Sequence, residues 1–377
     1  MPGFQKANYL NYARGSIFMR IKKGFAFVYY CIDVADSINT DNIRSVLGKK
    51  GQSCVLSASK ISPEYIQYKR APVFFKLGFC SIKSHPKISV DAKVYDFGVV
   101  TLRLSVPVSG SFDDLRKISR ELVYGGLLDS TAMRYLRKIK KEIETLLVKQ
   151  RSEPEPFETF CIFHVSEFDK TTNVDTLMKN HRVDIAKLLK PDAELLSKNE
   201  LDSAVSHYLS YYTDEIVIID WNASFIYDPR ISFDVVDIIE FALISLLELR
   251  YYDDVLDIAI DKAYIDIEAK KNKFSLSPYG KTLDSLQRVK LEVSEVIDKM
   301  SNSLKLIGEQ YLAKVYAQAS KVFYLDTWKA SVKEKLEAIS STYDMLSHRE
   351  TNREMVILET AIVALFIIDI VFLYFGL

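Results

Sequence analysis

TAIVALFIIDIVFLYFGL, residues 360–377, is an apolar run of 18 residues with one charge, Asp369, and no proline. Read from Met355 it is 23 residues, about 34 Å of helix at 1.5 Å per residue, which spans the roughly 30 Å hydrocarbon core of a bilayer. The stretch predicts a transmembrane helix at residues 355–377; a buried helix in an oligomer core is the other structure so apolar a run can make. A single span at this end leaves the bulk of the chain on the side where it was made. That side is the cytoplasm for a bacterial inner membrane, or the matrix for a mitochondrial one. The flanking charges give no orientation, because Arg349 and Arg353 are mixed with Glu350 and Glu354. An intramembrane carboxylate costs about 2.5–3.5 kcal/mol or more at the centre. Asp369 must therefore meet a partner helix, be neutralised, or lie near enough to the far interface to stay hydrated.

Upstream of the span the pattern is helical back to Ile231. Leu286, Val289, Val293, Val296 and Met300 form a heptad seam, which slips to Leu304, Ile307, Tyr311 and Val315. After a break at residues 325–327, with Asp326 or Thr327 as N-cap, Leu336, Ile339, Tyr343 and Leu346 continue toward the span. This predicts a coiled-coil-like helical hairpin over residues 230–354 and self-association of copies through it. Acids crowd residues 214–261: Asp220, Asp228, Asp234, Asp237, Glu240, Glu248, Asp253, Asp254, Asp257 and Asp261. A hard cation needs several such oxygens converging on one point. Most of these instead fall on a helix opposite the apolar stripe Val235, Ile238, Ile239, Ala242, Leu246 and Leu249, which predicts a solvated or partner-facing acidic surface.

The first half alternates between strand and helix signals. GFAFVYYCID (24–33) reads as a strand and residues 37–47 as a helix. Residues 52–58 and 72–82 read as strands, and VYDFGVVTLRLSV (94–106) as one strand ended by Pro107 and Gly110. Ser111 with Asp113 and Asp114 opens a helix through Val123, residues 130–149 form another, and 153–156 is a linker. Beyond it come a strand (159–168), helices (175–189, 198–207) and strands (208–212, 215–220, 224–227), with Trp221 and Asn222 at a tight turn. The fold class is therefore α+β or α/β for the N-terminal half and all-α for the C-terminal half, ending in one transmembrane helix. The domains are 1–150, 151–229, 230–354 and 355–377. Residues 1–32 hold five basic residues and no acid, but the short aromatic run after them lacks a cleavage site, which favours a first strand over a targeting segment.

At 377 residues and 12% aromatics the chain can build a real core. Its net charge is zero, yet residues 1–90 carry 14 Lys and Arg against four acids, a local excess of +10. Arg44, Lys49, Lys50, Lys60, Lys69 and Arg70 flank Tyr65 and Tyr68, a mix suited to an RNA backbone or anionic lipid. Solvated charge, including pairing with the acidic half, is the competing reading. Cys31, Cys54, Cys80 and Cys161 show no C-x-x-C spacing, so they read as buried thiols in a reducing compartment. Phosphate-loop, dinucleotide, zinc-protease and serine-elbow motifs are absent, and the five histidines never pair at ligand spacing. His164, in an alternating strand, reads as a hydrogen-bonded structural residue. No cofactor, metal, catalytic residue or small-molecule substrate is implied.

Several segments resemble the required-for-meiotic-nuclear-division family. FAFVYYCIDVADSINTDNIRSVL (25–47) is similar to its opening strand and helix, and VYDFGVVTL (94–102) to its F-x-x-G-V-V-V segment. LKLIGEQYLAKVY (304–316), TW (327–328), YDMLSHRETNREMVILE (343–359) and the apolar tail follow the family's C-terminal order. Where family members carry Leu-Glu-Trp, this chain has Leu358, Glu359 and Thr360. The resemblance implies a membrane-anchored protein that assembles into larger complexes, associated in mitochondria with support of translation. Two functions follow: a non-enzymatic membrane-tethered scaffold with an anionic or protein partner, such as RNA or the ribosome, or a membrane-bound enzyme or ligand sensor built on acids around Asp220 and Asp228.

Overall fold

A computed structural model of the chain describes residues 19–43, 72–82, 85–191, 196–270, 279–304 and 309–375. In chain order its strands and helices are β1 (Ile21–Asp33), β2 (Ala35–Ile38), β3 (Val73–Ile82), β4 (His85–Val94), β5 (Val99–Gly110), α1 (Phe112–Ser119), α2 (Asp129–Ile143), β6 (Leu147–Gln150) and β7 (Phe157–Phe168). Then come α3 (Val174–Asn180), α4 (Arg182–Leu189), α5 (Lys198–Ala204), β8 (Tyr208–Leu209), β9 (Ile216–Ile219), β10 (Ala223–Tyr227), α6 (Asp234–Lys270), α7 (Gly280–Leu304), α8 (Gln310–Val322) and α9 (Leu325–Phe375). The fold is α+β in the N-terminal half and helical after Ile231, as the patterning predicts.

Among the described residues eight strands form one sheet in the order β3-β4-β5-β1-β7-β10-β9-β8, antiparallel except where β10 joins β7. The centre is β1, whose run of aromatic and β-branched residues is buried on both faces from Ala26 to Asp33. Its period of two sends Ala26, Val28, Tyr30 and Ile32 into a core shared with Leu115 of α1, Leu136 of α2, Leu177 of α3 and Ile185 of α4. The opposite face carries Phe27, Tyr29 and Cys31. It is closed by α6 up to Glu248 and by α8: Phe233 packs on Phe27, Phe241 on Tyr316, and Phe323, just past α8, on Phe160.

Several segments differ from expectation for identifiable reasons. Residues 94–106 are two strands, not one: Val94 ends β4, and Gly98, at φ +100°, turns the chain so close to Ala35 that no Cβ fits. Pro107 does not stop β5, because β4 pairs with it only as far as Ser105, so the missing N–H lies where β5 has an open edge. The helix expected at 37–47 begins instead as β2, paired with β6 through Ser37 and Val148, followed by a 3-10 turn at Thr40–Asn42. That pairing also ends α2 at Ile143, short of residue 149. Residues 44–47 and the strand expected at 52–58 lie outside the described residues. His181 divides the helix expected at 175–189 into α3 and α4. The N-cap at Ser111 is as expected: its hydroxyl accepts from Asp114 N and the Asp114 carboxylate accepts from Ser111 N.

The chain forms two compact units, Met1–Glu248 with Ser301–Leu325, and Leu249–Met300 with Asp326–Leu377. In the second unit Asp253 accepts hydrogen bonds from Ser331 (2.6 Å) and Lys335 (2.8 Å), Asp266 from Thr282 (2.5 Å), and Glu350 from the backbone N–H of Tyr279 (2.5 Å). These contacts set α6 and α9 parallel with α7 running against both. Leu286, Val293, Ile339 and Leu346 are buried in the seams, and Val289 is half-buried. Val296, Met300, Leu304 and Ile307 are outside the described side chains. Tyr324, at φ +54°, makes the break before α9, slightly earlier than Asp326 or Thr327.

Candidate functional site

Two strands, a turn and one helical turn assemble a buried ionic cluster in the first unit. On β4, Asp91 and Lys93 are two apart and share a face; on β5, Thr101 and Arg103 stand opposite them in register. Asp237 and Glu240, three apart on α6, come down onto this face together. Lys93 Nζ donates to Asp237 Oδ1 at 2.8 Å and to Glu240 Oε2 at 2.7 Å. Glu240 Oε1 accepts from Tyr95 OH at 3.1 Å and Thr101 Oγ1 at 2.5 Å. Arg103 donates to Asp91 at 2.9 Å and lies between the rings of Phe27 and Phe233, at 5.4 and 5.3 Å. Tyr29 projects into the same place.

Burial works against the ammonium charge of Lys93, but Asp237 and Glu240 outweigh it and hold the amine protonated well above its ordinary range. Burial pushes the Asp237 carboxyl up against the opposing pull of Lys93. The adjoining cavity, lined by Tyr29, Lys93, Thr101, Arg103 and Glu240 among others, has about 160 Å³ of free space, its mouth included. The arrangement ties the sheet to α6 through paired buried charges.

The expected acidic surface is corrected here. Asp237, Glu240, Glu248 and Asp253 are buried, while Asp254, Asp257 and Asp261 are exposed. The overlooked signal was the run Val235–Leu249 itself, which is apolar nearly all round, so its acids had no solvated face to occupy. Lys93, Arg103, Tyr29, Tyr95 and Thr101 carry no motif and became legible only through strand register.

Asp220 and Asp228 are not brought together. Asp220 sits at the β9–β10 tip with Lys190 at 3.4 Å, its carboxyl pushed up by burial. Asp228 follows the other end of β10, about 16 Å away at 3.3 Å per residue. Its carboxylate accepts from Arg230 N at 2.9 Å and Ser232 N at 2.7 Å, fixing the entry to α6. His164 is buried and stacked on Phe233; its Nε2 finds no partner among the described residues, and burial lowers its pKa. Cys31 and Cys161 are buried thiols and Cys80 is half-buried; Cys54 lies outside the described residues, as do Arg44, Lys49, Lys50, Lys60, Lys69 and Arg70. Asp369 is exposed on α9.

A second buried carboxylate yields a pH prediction. Asp33 accepts from Arg151 at 2.7 Å, and Arg151 also meets Asp36. Burial outweighs Arg151 and raises Asp33 to about 6. The folded value lies above the unfolded one, so the stabilising contribution is full below pH ~4 and lost as pH rises through about 6, a swing of about 3 kcal/mol. Urea unfolding at pH 4 and 7 should show it, and Asp33→Asn should flatten that dependence; an unchanged slope would contradict the assignment.

The family described as "Uncharacterized protein MJ0711, N-terminal domain" matches residues 23–234. The chain is also similar to uncharacterized protein MJ0711 of Methanocaldococcus jannaschii, 30% identical over 240 residues, covering 63% of this chain and 73% of that protein. No solved structure matches the chain.

Proposed function

The chain belongs to the family of the MJ0711 N-terminal domain, and from its architecture we propose that it is a membrane-anchored scaffold without catalytic activity. The observation that carries this reading is the distribution of cover along α9. The amphipathic part, up to Glu350 and Arg353, is packed against its own unit; every described residue from Glu354 to Tyr374 is exposed. A water-soluble fold does the opposite, covering its most apolar helix and leaving the polar part bare. Among the described residues one helix is long and apolar enough to cross a membrane, with a mean hydropathy of 2.7 over its most apolar stretch, none of it buried. The pairing of Lys93 with Asp237 and Glu240, which occupies its ammonium group in tying sheet to helix, is consistent with a scaffold.

The finer parts of the proposal are a cytoplasmic or matrix-facing α/β unit, association of copies through the stalk and around Asp369, and an anionic partner for the basic N-terminal third. Kinship with the required-for-meiotic-nuclear-division family belongs to the same proposal. The test is sodium carbonate extraction with protease protection. The full chain should stay in the washed membrane, and protease added from the cytoplasmic or matrix side should digest the α/β unit. Extraction into the supernatant would end the membrane reading.

The partner is tested by salt. On protein lacking residues 355–377, Lys49, Lys50, Lys60, Lys69 and Arg70 are changed to Gln. Each lost phosphate contact should flatten the slope of log affinity against log salt by about 0.9 for duplex nucleic acid, or about 0.7 for a single strand. Unchanged RNA and vesicle binding with a lowered melting temperature would assign these cations to internal pairing instead.

A further inference from the structure

The outward face of α2 carries charge of one sign. Its apolar residues Ala132, Leu136, Ile139 and Ile143 are buried in the core shared with β1, and Tyr30 OH donates to Asp129 at 2.6 Å to fix its first turn. Beyond that turn the exposed residues of α2 are Arg134, Arg137, Lys138 and Lys141, all of them cations. With 3.6 residues per turn they fall within a sector of about 100° and span about 10 Å along the axis. The nearest acid in sequence, Glu142, is half-buried and roughly 90° round the helix from the middle of this face. Like charges three and four residues apart oppose helix formation. Elsewhere the chain pairs such charges: Arg116 meets Asp113 and Lys117 meets Asp114 on α1, and Lys140 of α2 itself meets Glu155. Among the described residues none of the four cations has an ion-pair partner. The helix dipole accounts for Lys141 in the last turn, but not for Arg134, Arg137 or Lys138.

We propose that this face of α2 binds the phosphate backbone of a nucleic acid. With one phosphate per strand for about every 3.4 Å of duplex axis, a row of about 10 Å lies beside about three of them. Arg134 and Arg137 supply planar forks that match phosphate oxygens, and Lys138 and Lys141 add point charges. The helix is already held by the core, so binding need not order it. A helix that lies on lipid carries apolar residues beside its cations and inserts them. The apolar residues of α2 are spent in the core, and none is exposed among the four cations, which favours a polymer in solution over a membrane. The surface goes beyond the anionic partner proposed for residues 1–90, and it does not depend on the membrane reading.

The test uses full-length protein in nonionic detergent and a fluorescein-labelled oligouridylate, with anisotropy read across a sodium chloride series. One variant combines Arg134→Gln, Arg137→Gln, Lys138→Gln and Lys141→Gln. A control removes the same charge from exposed positions on other elements, with Lys23→Gln, Lys170→Gln, Lys179→Gln and Lys198→Gln. The α2 variant should bind roughly tenfold or more weakly at low salt, and its slope of log affinity against log salt should flatten by about 0.7 per lost contact. The control should stay close to the wild type, and Arg134→Lys with Arg137→Lys should keep the slope. All four α2 positions are exposed, and relieving their repulsion should leave the melting temperature unchanged or raised. A wild-type chain that does not bind the RNA, or equal losses in the α2 variant and the control, overturns the proposal. RNA binding that persists in the α2 variant but is lost when Lys49, Lys50, Lys60, Lys69 and Arg70 are Gln also overturns it, and leaves the partner of residues 1–90 standing. Retention on beads carrying phosphatidylglycerol that falls in the α2 variant while its RNA binding is unchanged gives the face to lipid, and overturns it too.

Discussion

Lys93→Met should lower the melting temperature of the α/β unit by roughly 6–20 °C. The ammonium faces two carboxylates that are almost wholly buried, and removing it strands both in a region of low dielectric. Breaking a buried pair in this way costs about 3–5 kcal/mol, and each kcal/mol is worth about 2–4 °C in a unit of this size. The loss belongs to the stranded charges rather than to the missing contact. Lys93→Met combined with Asp237→Asn and Glu240→Gln should therefore recover much of the stability, whereas either carboxylate change alone on the wild-type background should cost less than Lys93→Met. Calorimetry of the four variants decides this. A triple variant no more stable than Lys93→Met would show that Lys93 acts through packing and not through its charge.

Removing residues 355–377 should move the protein completely from the carbonate-washed membrane to the supernatant. Among the described residues no other helix meets the length and hydropathy of a span. An inserted transmembrane helix is effectively irreversible, while headgroup contacts and basic patches are reversible and yield to high pH and salt. The shortened protein should retain its folded α/β unit, since that unit uses nothing beyond Leu325. Carbonate-resistant residence of the shortened protein would refute the anchor. In detergent the full chain should sediment as more than one protomer, and Asp369→Leu should shift that distribution; a monomer unaffected by the change would remove the association proposal.

How much of this was legible in the sequence depended on whether a residue's role is local or set by register. The long apolar helix at the end of α9, the Ser111 cap and the β9–β10 turn at Trp221 and Asn222 depend on neighbours within a few positions, and patterning found them. Residues 94–106 misled because Val94 and Val99 belong to different strands whose alternation happens to run on in phase. The helices expected at 37–47 and 130–149 failed at their adjoining ends, because β2 and β6 pair with each other across more than 100 residues. The cluster was hidden for the same reason. Asp237 and Glu240 are visible as acids in an apolar run, but their partner Lys93 lies 144 residues earlier than Asp237 on an unforeseen strand.

The first unit is not contiguous in sequence: it takes residues up to Glu248 and then Ser301–Leu325. A growing chain must therefore make about 77 more residues after Glu248 before α8 can cover the sheet face around Phe160. At 5–20 residues per second that delay is roughly 4–15 s, far longer than helix formation or collapse. During this interval an apolar sheet face is open to solvent, and the apolar stretch from Met355 follows it from the ribosome within seconds. The order of synthesis thus gives the nascent chain two sticky surfaces in close succession, which predicts dependence on a holding chaperone rather than on any feature of the finished fold.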